Sequence, residues 1–91
     1  MNTAEKITTI LRQVLAATHV DVEDESAQHA GHAGAASGGG HYRVTVVSSL
    51  FEGKSLVARH RLVYDALAKE MQHEIHALAL TTVTPSQQST N

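Results

Sequence analysis

The sequence predicts an α+β fold, a two-layer sandwich in which helices cover one face of a three-stranded mixed sheet. Apolar residues first repeat at helical spacing, then alternate with polar residues, then return to helical spacing before a last apolar strand. The 91 residues suffice for one domain that buries a core without disulfides. Because a helix connects the second and third strands, these strands are free to run parallel.

The first helix is predicted over residues 3–17, and a strand follows it. Asn2 and Glu5 have the spacing of a capping box. The apolar residues after them repeat every three or four positions, namely Ile7, Ile10, Leu11, Val14 and Leu15. From His19 the period changes to two, which predicts a half-buried first strand.

A segment rich in glycine and alanine separates the first strand from the second. Residues 27–40 read AQHAGHAGAASGGG, with five glycines and no large apolar side chain. Such a segment buries too little surface to offset the entropy of ordering it. We therefore expect a flexible loop over residues 26–40, within a single domain of residues 1–85.

The second half of the chain is predicted to hold two strands and the longest helix. His41 to Ser49 form a strand that pairs with the first as an antiparallel hairpin. Ser55 is the expected N-cap of a helix to about Met71. Its apolar stripe comprises Leu56, His60, Val63, Tyr64, Leu67 and Met71. The last strand spans residues 75–83, and the polar tail of residues 86–91 is expected to be disordered.

Composition argues against a disulfide-linked fold, a cysteine-ligated metal site within the chain, a membrane-spanning protein and an enzyme. The chain has no cysteine, a net charge of −2 and no apolar stretch of membrane-spanning length. We expect a cytoplasmic protein, or an organellar one after loss of a transit peptide. Because neither a Walker-type loop nor a convincing nucleophile and base is present, we do not expect an enzyme.

Histidine is the most informative residue type, with seven copies in the chain. His29 and His32 are three residues apart among small residues, a pattern that allows metal binding and equally fits a solvated polar loop. His41 is close enough in sequence to join them. His76 has the same parity as Leu78, so strict alternation would turn it toward the face of that residue as an inert histidine.

A short basic cluster lies near the start of the second predicted helix. It consists of Lys54, Arg59, His60 and Arg61. Basic side chains at a helix N-terminus attract phosphate, so the cluster is a candidate nucleic-acid site. Glu52 and Asp65 dilute the positive charge, and a solvated basic face is the simpler interpretation.

Six short motifs occur in order between residues 24 and 85, and together they resemble the BolA family. They are Asp24-Glu25-Ser26, Val46-Val47-Ser48, Phe51-Glu52-Gly53-Lys54-Ser55, Arg59-His60-Arg61-Leu62-Val63-Tyr64, Ile75-His76-Ala77-Leu78-Ala79-Leu80 and Thr84-Pro85. The resemblance is to members that carry a histidine in the loop between the first two strands. It implies a class II KH-like fold of order αββααβ, with the long helix divided near Arg59.

The resemblance also implies a function. BolA-like proteins pair with monothiol glutaredoxins and share a bridging 2Fe–2S cluster, for which the glutaredoxin cysteine and glutathione supply thiolates. By position, His76 is one imidazole ligand and His29 the second, with His32 as the alternative loop ligand. The isolated chain would then hold no cluster and be a monomer or weak homodimer.

Two other functions remain open within the same resemblance. One is a DNA-binding transcriptional regulator that uses Lys54, Arg59 and Arg61. The other is a cluster-free heterodimer that regulates its partner.

Overall fold

The computed structural model describes residues 1–26 and 39–88. The helices and strands are α1 (Thr3–Val14), β1 (His19–Asp24), β2 (Gly40–Val47), α2 (Leu56–Ala66), β3 (Ile75–Val83) and α3 (Pro85–Gln88). Short 3-10 helices lie at Ser49–Phe51 and Glu70–Gln72. The sheet order is β1-β2-β3, with β1 antiparallel and β3 parallel to β2, which confirms the predicted mixed α+β sheet.

The core lies between the sheet and the two longer helices. It is formed by Ile7, Leu11, Leu15, Ala17, Tyr42, Val44, Val46, Phe51, Val63, Leu67 and Ile75. Val20 and Val22 of β1 pack against it from the edge of the sheet. The predicted half-buried first strand is therefore confirmed, because its valines face the core and alternate with exposed residues. Among the described residues, no helix has the length and apolar character needed to span a bilayer.

Helix α1 begins as predicted and ends earlier. Its capping box is present, since the Glu5 amide donates to Asn2 Oδ1 at 2.8 Å and the Asn2 amide to Glu5 Oε1 at 3.2 Å. The helix ends at Val14 because Ala16 adopts a left-handed φ of 52°. The Leu11 carbonyl accepts from the Leu15 amide at 3.1 Å and from the Ala17 amide at 3.3 Å, so it closes the end of the helix.

Helix α2 is shorter than its apolar stripe suggests, and it is unbroken at Arg59. It ends at Ala66, and Met71 lies in the following 3-10 helix. The Ala68 amide donates to the Asp65 carbonyl at 3.3 Å, so the chain tightens from α to 3-10 bonding. Of the expected stripe, Val63 and Leu67 are buried, whereas Leu56 is 63% exposed. The predicted apolar stripe therefore included residues that do not face the core.

The C-terminal segment also differs from its prediction. Residues 86–88 are part of α3, although a disordered tail was expected from residue 86. Ser86 Oγ donates to the Glu52 carboxylate at 3.0 Å, and Gln87 Oε1 accepts from the Thr84 amide at 2.9 Å. Residues 89–91 lie outside the described residues, as do residues 27–38, which hold most of the loop predicted for residues 26–40.

Candidate metal-binding edge of the sheet

His76 lies on a β-bulge at the start of β3. Gly40 pairs with Ile75 and His41 with Ala77, so His76 is an extra residue that has no counterpart on β2. The bulge breaks the alternation of the strand. Ile75 is buried and Leu78 packs against the core, yet His76 is exposed. The parity argument that turned His76 toward the face of Leu78 is therefore wrong.

The exposed His76 ring lies beside the ring of His41. The two ring centroids are 5.2 Å apart, with an angle of 46° between the ring planes. His41 is half-buried at the start of β2. The structure thus brings together two histidines that are 35 residues apart in the sequence.

Main-chain hydrogen bonds fix His41 from both sides. Its amide donates to Ser26 Oγ at 3.1 Å, and its carbonyl accepts from the Glu25 amide at 2.8 Å. The Ser26 amide in turn donates to Asp24 Oδ1 at 2.9 Å. Hydrogen bonds from the Ser26 side chain and backbone lower the pKa of Asp24. The Asp24-Glu25-Ser26 motif therefore ends β1 and holds the start of β2.

Gly39 approaches His76 so closely that a side chain would not fit. A Cβ atom built on Gly39 would lie 2.7 Å from the His76 Cβ and 3.0 Å from its backbone nitrogen. The segment that carries His29 and His32 leaves the described fold at Ser26 and returns at Gly39. Both ends of that segment thus meet at the His41–His76 pair.

The predicted loop ligands His29 and His32 lie outside the described residues, so their positions relative to His76 stay untested. Within residues 1–26 and 39–88, no group of three or more His, Cys, Asp or Glu side chains is arranged to hold a metal ion. Any site with three ligands built on His41 and His76 therefore needs a donor from residues 27–38, from another protein or from solvent.

In the basic cluster near the start of α2, Arg59 makes hydrogen bonds within the fold. The Arg59 guanidinium donates from Nε to the Lys54 carbonyl at 2.9 Å and from Nη1 to Gln87 Oε1 at 3.1 Å. A longer bond of 3.4 Å joins Nη1 to the Thr82 carbonyl. Arg59 therefore links α2 to β3 and α3, whereas Lys54 and Arg61 are exposed.

Sequence reasoning missed three residues that shape this edge: Ser26, Gly39 and Gly40. Their roles depend on contacts between distant segments, which local patterns do not reveal. One signal was available, since the run of three glycines directly before His41 is typical of close backbone approach at the start of a strand.

Comparison with known proteins agrees with the fold. The sequence profile of the BolA-like protein family matches residues 11–87. BolA-like protein 1 of Mus musculus is 46% identical over 77 residues, which are 85% of this chain and 54% of that protein. SufE-like protein 1 of Arabidopsis thaliana, named as chloroplastic/mitochondrial, is 43% identical over 82 residues, which are 85% of this chain and 22% of that protein.

Comparison with a solved structure also supports the fold. BolA1 from Arabidopsis thaliana superimposes with a TM-score of 0.80 at 38% identity, covering 96% of each chain. The chain spans about half the length of the mouse relative and about a fifth of the SufE-like protein. Because the family profile covers most of the sequence, the chain belongs to the BolA-like protein family.

Proposed function

We propose that this chain is a non-enzymatic partner of a monothiol glutaredoxin, with which it holds a bridging 2Fe–2S cluster for cluster trafficking or for iron and redox sensing. His76 supplies one imidazole and His29 the second, with His32 as the alternative. The observation that carries the proposal is the bulge, which exposes His76 beside both ends of the histidine-bearing segment.

The residues present fit such a shared site. Because the chain has no cysteine, thiolates must come from the glutaredoxin and from glutathione. Imidazole in place of thiolate raises the reduction potential of a 2Fe–2S cluster. The chain contributes neutral nitrogen donors, and the bulge and Gly39 hold one of them at the protein surface.

Chain length allows the loop histidines to reach His76. His29 follows Ser26 by three residues, a span of at most about 10 Å when extended. Ser26 is itself hydrogen-bonded to His41, whose ring contacts His76. His32 is six residues from Ser26 and also within reach, so mutation has to distinguish the two.

The test is cluster assembly in the mixed complex. The full chain, a monothiol glutaredoxin, glutathione, iron and sulfide are combined without oxygen, and the visible absorption and circular dichroism spectra are recorded. We expect His76→Ala to abolish the heterodimer spectrum and His29→Ala to shift it. His32→Ala should have the larger effect only if His32 is the loop ligand.

His19→Ala is the matched control, because His19 is also an exposed strand histidine but pairs with Val47 at the opposite end of the sheet. It should leave the spectrum unchanged. Native spectra and cluster stability in the His76, His29 and His32 variants would contradict the proposal.

The DNA-binding alternative has weaker geometric support. Of its three residues, Arg59 directs its guanidinium to acceptors within the fold, and a phosphate would have to compete with them. Only Lys54 and Arg61 remain as exposed cations of that set. The cytoplasmic location stays a prediction from the sequence.

A further inference from the structure

We propose that His41 and His76 form a binding site for a divalent late first-row transition ion, such as Zn²⁺ or Co²⁺, on the chain without its partner. The inference does not rest on the proposed shared cluster. It rests on the separation of the two rings, on the way each is held, and on the other side chains near them.

The ring separation matches two imidazoles on one ion. A metal–nitrogen bond of about 2.0–2.1 Å places each ring centroid roughly 3.2 Å from the metal. At a tetrahedral angle two such centroids are about 5 Å apart. The His41 and His76 centroids are 5.2 Å apart. Binding of one ion requires side-chain torsions that aim one nitrogen of each ring at a common point.

The backbones that carry the two rings are held in place before any ion binds. Hydrogen bonds to Ser26 and Glu25 hold His41, and the bulge together with the close approach of Gly39 fixes His76. Little conformational entropy is therefore lost when the two nitrogens converge. A flexible pair of surface histidines would lack this advantage.

Nearby carboxylates have other partners, so the site favours ions that prefer imidazole. Glu25 lines a cleft of about 250 Å³ with His41, but its carboxylate accepts from Arg43 Nε at 3.2 Å. Glu74 accepts from Lys6 Nζ at 2.8 Å. Ions that require several oxygen ligands, such as Ca²⁺ and Mg²⁺, are therefore poor candidates.

The experiment separates this pair from the loop histidines. His29→Ala/His32→Ala is the parent variant, since it retains His41 and His76 and removes the two histidines of residues 27–38. Calorimetric titration with ZnCl₂, and absorption titration with CoCl₂, measure binding in a buffer without metal ligands. Imidazole NMR resonances identify which histidines respond.

We expect the parent to bind one ion, with the resonances of His41 and His76 shifting together. Adding His41→Ala or His76→Ala should weaken binding at least about tenfold. His41→Asn is a second variant of the half-buried position, and thermal unfolding checks that each variant is folded. His19→Ala, at the opposite end of the sheet, should bind as the parent does. Equal affinity of the folded His41 variants and the parent would overturn the proposal.

Discussion

The two ends of the sheet use their polar side chains for different purposes. At the end where β2 and β3 finish, Ser48 is fully buried, and its Oγ donates to the Leu15 carbonyl at 2.6 Å while accepting from the Leu50 amide at 3.1 Å. At the end where β2 and β3 begin, the bulge exposes His76, and its ring lies beside the ring of His41.

This difference suggests a criterion that separates structural from functional polar residues, namely whether the side chain makes hydrogen bonds within the fold. Ser48 donates to the Leu15 carbonyl and Arg59 to the Lys54 and Thr82 carbonyls, so their hydrogen-bonding capacity is used within the fold. His76 has an exposed ring on an irregular strand, a combination that contributes little to packing. Strand irregularity of this kind is over-represented beside functional sites.

The largest effect is expected at the structural end. Ser48→Ala leaves the Leu50 amide and the Leu15 carbonyl without the hydroxyl of the fully buried Ser48. We expect the free energy of unfolding to fall by about 1–3 kcal/mol, measured by urea denaturation. Ser49→Ala, at the exposed neighbouring position, should change it by less than about 0.5 kcal/mol. Similar losses of unfolding free energy in the Ser48 and Ser49 variants would contradict a structural role for the Ser48 hydroxyl.

A second prediction concerns the histidine end. The methyl group of Gly39→Ala would collide with His76, so the bulge must shift at a cost of about 1–3 kcal/mol. The imidazole NMR resonances of His41 and His76 should move with it.

Gly53→Ala is the control for that substitution. Gly53 has a φ of 73° and open space around its Cβ position, so the variant is strained without touching the histidines. It should lose stability and leave both imidazole resonances in place. Unmoved resonances in the folded Gly39 variant would contradict the role of Gly39.

A smaller effect on stability is expected at Arg59 of α2, which is half-buried, than at the histidine end. Arg59→Ala removes the hydrogen bonds to Lys54 and Gln87 and should reduce the free energy of unfolding by about 1 kcal/mol. Arg61→Ala should be nearly neutral, because Arg61 is exposed. If the cluster is instead a phosphate-binding surface, both variants should weaken DNA binding in a salt-dependent way while having equal stability.

The smallest effect concerns the ion pair that joins α1 to the histidine end. The Lys6 Nζ lies 2.8 Å from Glu74 Oε1, and this contact lowers the pKa of Glu74 from 4.5 and raises that of Lys6 from 10.5. The stabilisation from Glu74 is therefore present above its unfolded pKa and is lost as the pH falls through its lower folded value. The stabilisation from Lys6 is present below its unfolded pKa and is lost above its folded value.

Glu74→Gln tests this pH dependence. We expect the variant to be slightly less stable than the native chain at neutral pH, because a surface ion pair contributes little. The difference should shrink in urea denaturation as the pH falls from about 7 through the lowered pKa of Glu74, because protonation removes the ion pair. A difference that stays constant over that range would show that the ion pair is not its cause.

Local patterns predicted the elements of the fold because their causes are local. Asn2 and Glu5 identify the start of α1, and Ser55 caps α2 by accepting from the Ala58 amide at 3.2 Å. The end of α1 was missed because an alanine, rather than glycine, takes the left-handed position at residue 16. Leu15 and Ala17 are nevertheless buried, which prolonged the apolar pattern beyond the helix.

The candidate site was predicted in its residue types but not in its geometry. His76 was identified by its place in the sequence, whereas its exposure depends on the register between Gly40 and Ile75. Two acceptors of Arg59, the Thr82 carbonyl and Gln87 Oε1, lie on other elements and were equally invisible to a local pattern. Pairing between distant strands, which no single segment encodes, decides which histidines meet.

The most direct test of the central claim is pulsed electron paramagnetic resonance on the reduced cluster of the mixed complex. Only this chain is labelled with ¹⁵N-histidine, so a strong ¹⁵N hyperfine coupling must come from its own imidazoles. We predict couplings of directly bound ¹⁵N in the native complex and in His19→Ala, and loss of the heterodimer cluster signal in His76→Ala. A reduced cluster in the heterodimer without such coupling would contradict ligation by this chain.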